Sequence, residues 1–300
     1  MSPSSEVAPA PDIRIIRADE RSTWRDSALL SRQSFPATGS FDLEGNAFGL
    51  LMVHNDDVVA PGEGFDMHQH RDVELVTWVM GGRLRHRDDG GMEGSAAGTE
   101  SILSPGMAQR VSAGRGIRHS ELNASGYLDG TRLHVIQAWL PPDERGATPS
   151  HDEVDLNESL ATAASADSPA ERLIPVASGT PGAAPLTIGT SGATLWAGRI
   201  PAGADFTLPA ARFTHFFVAK GTVEFNGTSL YDGDVARITS TASDSADFPA
   251  VGATADSQLS AIAIDDAEVL IWAMDRAIRR SSTPWRAAET SGTLGDDDRH

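Results

Sequence analysis

The chain has 300 residues, of which 24 are basic and 42 acidic, giving a formal net charge of -18, and it contains no cysteine. This charge opposes binding to phosphate backbones and anionic membranes, so direct nucleic-acid or membrane partners are not expected. Without cysteine, disulfides and thiolate-bound metals are excluded, and any metal site must use nitrogen and oxygen ligands. The length suits two domains or one large β architecture.

Both ends of the chain are polar. Residues 1–12, MSPSSEVAPAPD, lack the charged start and hydrophobic centre of a secretory signal, and residues 281–300 are poor in branched side chains. No apolar run approaches the roughly 18 residues of a membrane span. We therefore expect a cytoplasmic protein with a disordered amino-terminal segment and a disordered tail.

Short apolar runs, each ended by glycine, proline or aspartate, dominate the rest of the chain. They predict strands at 48–57, 73–82, 83–91, 107–114, 132–142, 193–203, 214–221, 222–227, 234–240, 260–266 and 268–274. Turn residues at this spacing are typical of an all-β barrel or sandwich. Only WRDSALL, residues 24–30, and AMDRAIRRS, residues 273–281, favour helix.

The chain divides into two similar halves. VTWVMGGRLRHRDDGG followed by LSPGMAQRVSAG has the same order of strands and glycine turns as FFVAKGTVEFNG followed by LYDGDVARITST. Residues 141–172 between them are polar and look unstructured, although VDLNESLATAA could form a short helix. We predict a duplicated β-barrel, with an amino-terminal barrel over 13–141, a linker over 142–171 and a carboxyl-terminal barrel over 172–280.

Two histidine-containing stretches predict a metal site. Strand alternation in GEGFDMHQHRDVELVTWVMGG, residues 62–82, puts His68, His70 and Glu74 on one face together with Trp78. In SAGRGIRHSELN, residues 112–123, His119 and Glu121 also share a face. Three imidazoles with one or two carboxylates can bind iron, manganese, nickel, copper or zinc, and this set is closest to mononuclear iron(II) sites.

The remaining buried histidines are interpreted differently. A lone buried histidine is usually a core residue with satisfied hydrogen bonds. This interpretation applies to His54, His86, His134 and His215.

The same stretches carry a family resemblance. Residues 62–81 match the first cupin motif at its fixed positions, which are Gly62, His68, His70, Glu74 and Gly81. Residues 116–123 match the end of the second motif, although Gly114 stands where proline is usual. Residues 48–88 and 105–123 further resemble the pirin family, with Gln69 where pirins usually have proline.

The resemblance implies two tandem cupin (jelly-roll) β-barrels, a bicupin. It implies one divalent metal in the amino-terminal barrel, with iron(II) favoured over nickel, manganese, copper and zinc. The ligands implied are His68, His70, His119 and Glu121. The pirin pattern favours Glu121 as the carboxylate ligand, while the general cupin motif favours Glu74, which stays an alternative ligand or a base. In the second barrel the aligned positions, Gly203, Pro209, Ala211 and His215, lack the histidine pair, so no metal is expected there.

For function, the resemblance implies a metal-dependent dioxygenase of the quercetin 2,3-dioxygenase type, acting on a flavonol-like enol. Glu74 or Glu121 would accept the substrate proton. The alternative is an iron-dependent redox-sensing regulator that acts on a protein partner. A weaker third reading is a metal-independent binding or isomerase cupin.

Overall fold

Antiparallel strands dominate the computed structural model, which describes residues 10–35, 43–91, 98–240 and 259–278. Within these residues the strands form two seven-stranded and two four-stranded sheets. The predicted all-β fold is therefore confirmed. In the same residues no helix is both long enough and apolar enough to cross a membrane.

The elements follow in chain order. The strands are β1 Asp12–Ile16, β2 Ser22–Arg25, β3 Leu29–Gln33, β4 Val53–Val59, β5 Gly64–His70, β6 Glu74–Gly81, β7 Leu84–Asp88, β8 Glu100–Leu103, β9 Met107–Ser112, β10 Ile117–Asn123, β11 Leu133–Leu140, β12 Ser150–Asp155, β13 Ile174–Ser178, β14 Leu186–Thr187, β15 Ala193–Ile200, β16 Asp205–Thr207, β17 Phe213–Lys220, β18 Val223–Phe225, β19 Thr228–Leu230, β20 Val235–Thr239, β21 Ser260–Ala263 and β22 Ala267–Met274. The α-helices are α1 Leu43–Asn46 and α2 Asn157–Ala164, and 3-10 turns lie at Ala18–Glu20 and Pro169–Glu171.

Each barrel combines one large and one small sheet. Barrel 1 consists of β12-β9-β6-β11-β4-β3-β2 and β5-β10-β7-β8, and barrel 2 consists of β1-β20-β17-β22-β15-β13-β14 and β16-β21-β18-β19. All eleven predicted strands overlap observed ones. The two barrels are similar in construction because both halves of the sequence repeat the same alternation of apolar runs and glycine turns.

The first strand lies in the second barrel. β1 pairs with β20, so that Ile13 is opposite Ile238, and Ile13 and Ile15 pack on the core of barrel 2. The predicted amino-terminal domain begins at residue 13, yet this strand is part of the other barrel's large sheet. Sequence order alone cannot reveal such a crossing strand, because strand pairing depends on contacts far apart in the chain.

The segment predicted as an unstructured linker contains a strand and an α-helix. β12 pairs with β9 along its whole length, and α2 buries Leu160 and Ala163 against the core. The expectation of an unstructured segment is therefore wrong for residues 150–164, whereas the suggestion of a short helix is confirmed. Edge-strand pairing and a few buried leucines are enough to order a polar stretch. The domain boundaries themselves stay a prediction.

Both predicted helices outside the linker are wrong where the structure describes them. Residues 24–30 supply the end of β2 and the start of β3, and residues 273–274 are the end of β22. Tertiary pairing overrides local helix propensity at such short segments. The end of the second predicted helix, residues 279–281, lies outside the described residues. So do the predicted disordered tail at 281–300 and residues 1–9 of the predicted disordered amino-terminal segment.

The outer faces of the two large sheets pack against each other. One apolar cluster continues from Trp78 and Ile136 of barrel 1 to Phe217, Leu270 and Trp272 of barrel 2. The Trp78 indole also donates a hydrogen bond of 2.8 Å to Glu268. By alternation, the opposite faces of these strands line the two barrel interiors.

Candidate metal centre

Three imidazoles meet on the inner side of the small sheet of barrel 1. His68 and His70 lie on β5, and β10 pairs beside it with His119 directly opposite His68. One ligand nitrogen from each of the three residues lies within 4.8 Å of the others. Strand alternation in β5 and cross-strand register between β5 and β10 therefore bring together three side chains that the sequence predicts as ligands.

The geometry of these imidazoles fits a metal ion. The Nε2 atoms of His68 and His70 are 2.9 Å apart, and two ligand atoms each about 2.1 Å from an ion at a right angle are about 3 Å apart. The carbonyl oxygen of Asp66 lies 2.7 Å from His68 Nδ1, which favours the proton on that nitrogen and leaves Nε2 free to bind. Among the described residues, neither ring nitrogen of the buried His119 has a hydrogen-bond partner.

Burial also favours the neutral form that binds metals. Burial, with the neighbouring histidines, holds the pKa of His70 and of His119 well below the usual range of histidine. A neutral imidazole offers a lone pair, whereas a protonated one does not. The assignment of these three residues as ligands stays a prediction.

Glu121 is held beside His119 by amide donors. Gln109 of β9 donates to Oε1 and Gln137 of β11 donates to Oε2, each at 2.7 Å. The Gln137 carbonyl in turn accepts a hydrogen bond of 2.9 Å from the Trp139 indole, which fixes the amide's orientation. Two amide donors stabilise an ionised carboxylate. Glu121 thus lies in the barrel interior with both carboxylate oxygens oriented by hydrogen bonds.

Alternation along β10 directs Glu121 inward together with His119, since β10 pairs with β7 without a shift of register. Against β5 the register shifts between His119 and Glu121 because β5 carries the extra residue, so that Glu121 is opposite Phe65. At Gly64 the backbone of β5 approaches so closely that a Cβ atom would collide with the carbonyl oxygen of Glu121. A glycine is required at this point, where φ is +148°.

The expectation that Glu74 shares a face with the histidines is wrong. β5 ends at His70 and β6 begins at Glu74, and between them Asp72 turns the chain with φ of +52°. Alternation does not continue through such a turn. Glu74 instead faces barrel 2, where its Oε2 accepts hydrogen bonds from Ser112 at 2.6 Å and from the Gly189 backbone at 2.9 Å. Burial raises its pKa.

Two further histidines line the same interior. His86 of β7, interpreted from sequence as a core residue, is fully buried with its Nε2 3.0 Å from Asp88 Oδ2. His151 of β12, within the predicted linker, stacks on His86 with ring centroids 4.2 Å apart. Alternation along β7 places His86 and Asp88 on the same buried face, and this spacing is the signal by which the pair could have been found. Nothing in the sequence indicated His151, because its strand was missed.

The departures from the cupin and pirin patterns do not disturb the three imidazoles. Gly114 has φ of +45°, which proline cannot adopt, and a Cβ there would collide with the Ala147 carbonyl. Gln69 is exposed on the outer side of β5, as expected for a residue between two inward-facing histidines.

Two further histidines, His215 of β17 and His54 of β4, lie between the two barrels. His215 contacts His54 with ring centroids 4.5 Å apart, and both are buried without a hydrogen-bond partner for either ring nitrogen among the described residues. The expectation of satisfied hydrogen bonds is therefore wrong for this pair. By contrast, His134 Nε2 lies 2.8 Å from Asp56. The interior of barrel 2 is packed with apolar side chains such as Phe206, Phe216 and Phe225, and the absence of a metal there stays a prediction.

Two tandem β-barrels, one with a histidine-rich interior and one with an apolar interior, define a bicupin. The pirin family model matches residues 21–140. A Mycobacterium tuberculosis protein provisionally named quercetin 2,3-dioxygenase is 39% identical over 273 residues, which cover 90% of this chain and 98% of that protein. The chain belongs to the pirin family.

Two Escherichia coli proteins extend the comparison. A quercetin 2,3-dioxygenase is 36% identical over 141 residues, covering 47% of this chain and 57% of that protein. The crystal structure of a bacterial pirin in complex with nickel(II) has a TM-score of 0.69 and 26% identity, and it covers 89% of this chain and 100% of that chain.

Proposed function

We propose that this pirin is a metal-dependent dioxygenase acting on a flavonol-type, quercetin-like enol, with iron(II) as its metal. The observation that carries the proposal is the convergence of His68, His70 and His119 within 4.8 Å of one another, with Glu121 beside His119. The names of its relatives as quercetin 2,3-dioxygenases support the substrate class. The nickel(II) complex of the similar pirin supports a divalent ion.

His68, His70 and His119 would hold the metal, and Glu121 would complete the set. A divalent ion held there supplies Lewis acidity toward an enol oxygen and a redox route to dioxygen. The protein supplies the orientation. His68 is fixed through Asp66, and the His70 ring packs edge-on against Trp139 with centroids 4.9 Å apart.

Glu121 is the group best placed to accept the enol proton. Its two oxygens accept hydrogen bonds from Gln109 and Gln137, which fix the carboxylate beside His119, and a carboxylate has further lone pairs with which to accept a proton. Glu74 is the weaker candidate, since its contacts are with Ser112 at the end of β9 and with Gly189 of the second barrel, away from the histidines. The proton therefore moves from the substrate hydroxyl to a Glu121 oxygen.

The walls of the site suit a planar aromatic substrate. Phe65 packs against His68 with ring centroids 6.4 Å apart, and Trp139 packs against His70 on the other side. Aromatic faces exclude water and stack on flat rings. The same walls would keep water away from the activated enol.

The test is reconstitution of metal-free protein with iron(II), nickel(II), manganese(II), copper(II) or zinc(II), each followed by addition of quercetin. Without oxygen, binding should shift the quercetin absorption band, and admission of oxygen should release carbon monoxide and a depside. His119→Gln should abolish both, whereas His134→Gln, a histidine outside the site, should retain them. Metal-loaded protein that binds quercetin but releases neither product contradicts the proposal. In that case the redox-sensing alternative is favoured, provided that the protein with oxidised iron and the protein with reduced iron differ in affinity for a captured protein partner.

A further inference from the structure

We propose that His86, Asp88 and His151 form a second divalent-metal site in barrel 1. One ligand atom from each residue lies within 4.8 Å of the others. No residue of this group belongs to the His68, His70 and His119 group. His86 also groups with His119 and Glu121, so the two sites are neighbours. The proposal does not rest on the proposed function.

The carboxylate of this group is already oriented. Asp88 Oδ1 accepts hydrogen bonds from the backbone N–H groups of Gly90 at 2.7 Å and Thr99 at 3.2 Å. This arrangement leaves Oδ2 directed at His86 Nε2, 3.0 Å away. That separation equals the spacing of about 3 Å between neighbouring ligand atoms around an ion. Backbone donors that fix a ligating carboxylate are typical outer-shell partners of metal sites.

The histidines also have nitrogens to offer. His86 is fully buried, and its Nε2 is the nitrogen that faces Asp88 Oδ2. His151 Nε2 lies 3.2 Å from the side-chain oxygen of Gln109, which favours a proton on Nε2 and a free lone pair on Nδ1. Burial lowers the pKa of His151 to about 4, so its ring is neutral at neutral pH.

One movement is needed for binding. The rings of His86 and His151 are nearly parallel, with 8° between their planes, and a single ion cannot lie in two parallel ring planes. His151 must therefore rotate about its side-chain bonds. It lies on the edge strand β12 and is only partly buried, so this rotation does not displace the core.

Two imidazoles and one carboxylate, with water completing the shell, suit a borderline ion such as zinc(II) or cobalt(II). The site joins two sheets, because His86 and Asp88 lie on β7 of the small sheet and His151 lies on β12 at the edge of the large sheet. An ion here fastens the edge strand to the barrel. Its expected effect is on stability and on the order of β12.

The test counts metal ions on the full-length chain. Metal-free protein is titrated with zinc(II) and with cobalt(II), desalted and analysed for metal by mass spectrometry. The wild type should retain two ions per chain, and His68→Ala with His70→Ala should retain one. His151→Gln should lose the second ion while keeping the first, and the three substitutions together should leave none. His134→Gln is the matched control and should retain two.

Thermal unfolding provides the second readout. Filling the second site should raise the melting temperature of the His68→Ala/His70→Ala protein, and His151→Gln should remove that rise. A wild-type chain that binds a single ion overturns the proposal. This holds also if that one ion is bound jointly by His86, His119 and Glu121. Two ions bound by His151→Gln with unchanged affinity overturn it as well. His151→Gln lies on a partly exposed edge strand, and circular dichroism checks that the variant is folded.

Discussion

The Nε2 atoms of His68 and His70 face each other at 2.9 Å across one face of β5. Two neutral imidazole nitrogens at this distance repel through their lone pairs unless a proton or a cation lies between them. His68 Nδ1 already has the Asp66 carbonyl as a partner at 2.7 Å. A metal ion relieves the repulsion and also satisfies His119, whose ring nitrogens lack partners in the described part of the chain.

His119→Gln should therefore weaken metal binding at the first site by more than about 100-fold, the upper range for loss of a supporting hydrogen bond alone. His119 supplies a ligand from a second strand, and glutamine removes the imidazole at similar size. Competition with a chromophoric chelator measures the affinity. His134→Gln should leave it unchanged, and equal affinities in the two variants would show that His119 is not a ligand.

His68 and His70 were predictable as a pair because alternation acts locally: they are two residues apart on one strand. His119 was added to them through the match of residues 116–123 to the second cupin motif, and the structure places it opposite His68. Glu74 was misplaced because the turn at Asp72 interrupts the alternation. His151 was missed because β12 is polar, and only its pairing with β9 makes it a strand.

The division into barrels was predictable from the repeated glycine turns, but the contact between them was not. His54 and His215 are far apart in sequence, and their contact depends on the packing of two large sheets. Likewise, β1 joins barrel 2 through Ile13 and Ile15 although it precedes every strand of barrel 1. Such long-range pairings leave no local pattern in the sequence.

Gln137→Leu should lower the affinity for the first-site metal by about 10- to 100-fold. The substitution removes the 2.7 Å hydrogen bond to Glu121 Oε2 and leaves the carboxylate held through Oε1 alone. Chelator competition measures the loss. Trp139→Phe is the control, because it removes the indole donor to Gln137 but keeps an aromatic ring beside His70, and it should have a smaller effect. A larger loss in Trp139→Phe would contradict the role given to the amide.

Glu74→Gln and Glu121→Gln should separate the two candidate carboxylates. Glu74 contacts Ser112 and Gly189, so its amide variant should keep the metal and turn over substrate within about twofold of wild type. Glu121→Gln should lose at least about 100-fold in turnover, since it removes the proposed proton acceptor. Metal content and product formation are measured on both variants, and they reveal which of the two carboxylates accepts the substrate proton. The reverse order of effects would restore Glu74 as the base.

His54→Phe should make stability less sensitive to acid. Burial, with nearby Arg21 and Arg237, lowers the pKa of His54 from 6.5 to about 3. Between these values the unfolded chain takes up a proton that the folded chain does not, so stability falls as pH falls below 6.5. The slope is at most about 1.4 kcal/mol per pH unit for this group.

Phenylalanine fits beside Phe217 and His215, because the His54 ring packs against aromatic rings and its nitrogens have no described partner. Urea unfolding between about pH 6 and pH 4 should give a slope lower by roughly 1 kcal/mol per pH unit than wild type. His134→Gln removes a histidine for which Asp56 supplies a partner, and it serves for comparison. Parallel pH curves for wild type and His54→Phe would show that His54 titrates normally in the folded chain.

Asp57→Asn should stabilise the metal-free protein at alkaline pH. Asp57 is buried in β4, and burial raises its pKa from 3.8 to about 7, with the charges of Asp56 and Glu121 adding to the rise. As pH rises from 3.8 to 7, the unfolded chain releases the proton that the folded chain retains, so stability falls and remains lower above 7. Asparagine removes this cost, which is up to about 4 kcal/mol at roughly pH 8 and close to zero near pH 4. Urea unfolding at both pH values measures the difference, with the exposed Asp129→Asn as control. A gain of the same size at both pH values would show that the substitution acts through packing and not through the buried charge.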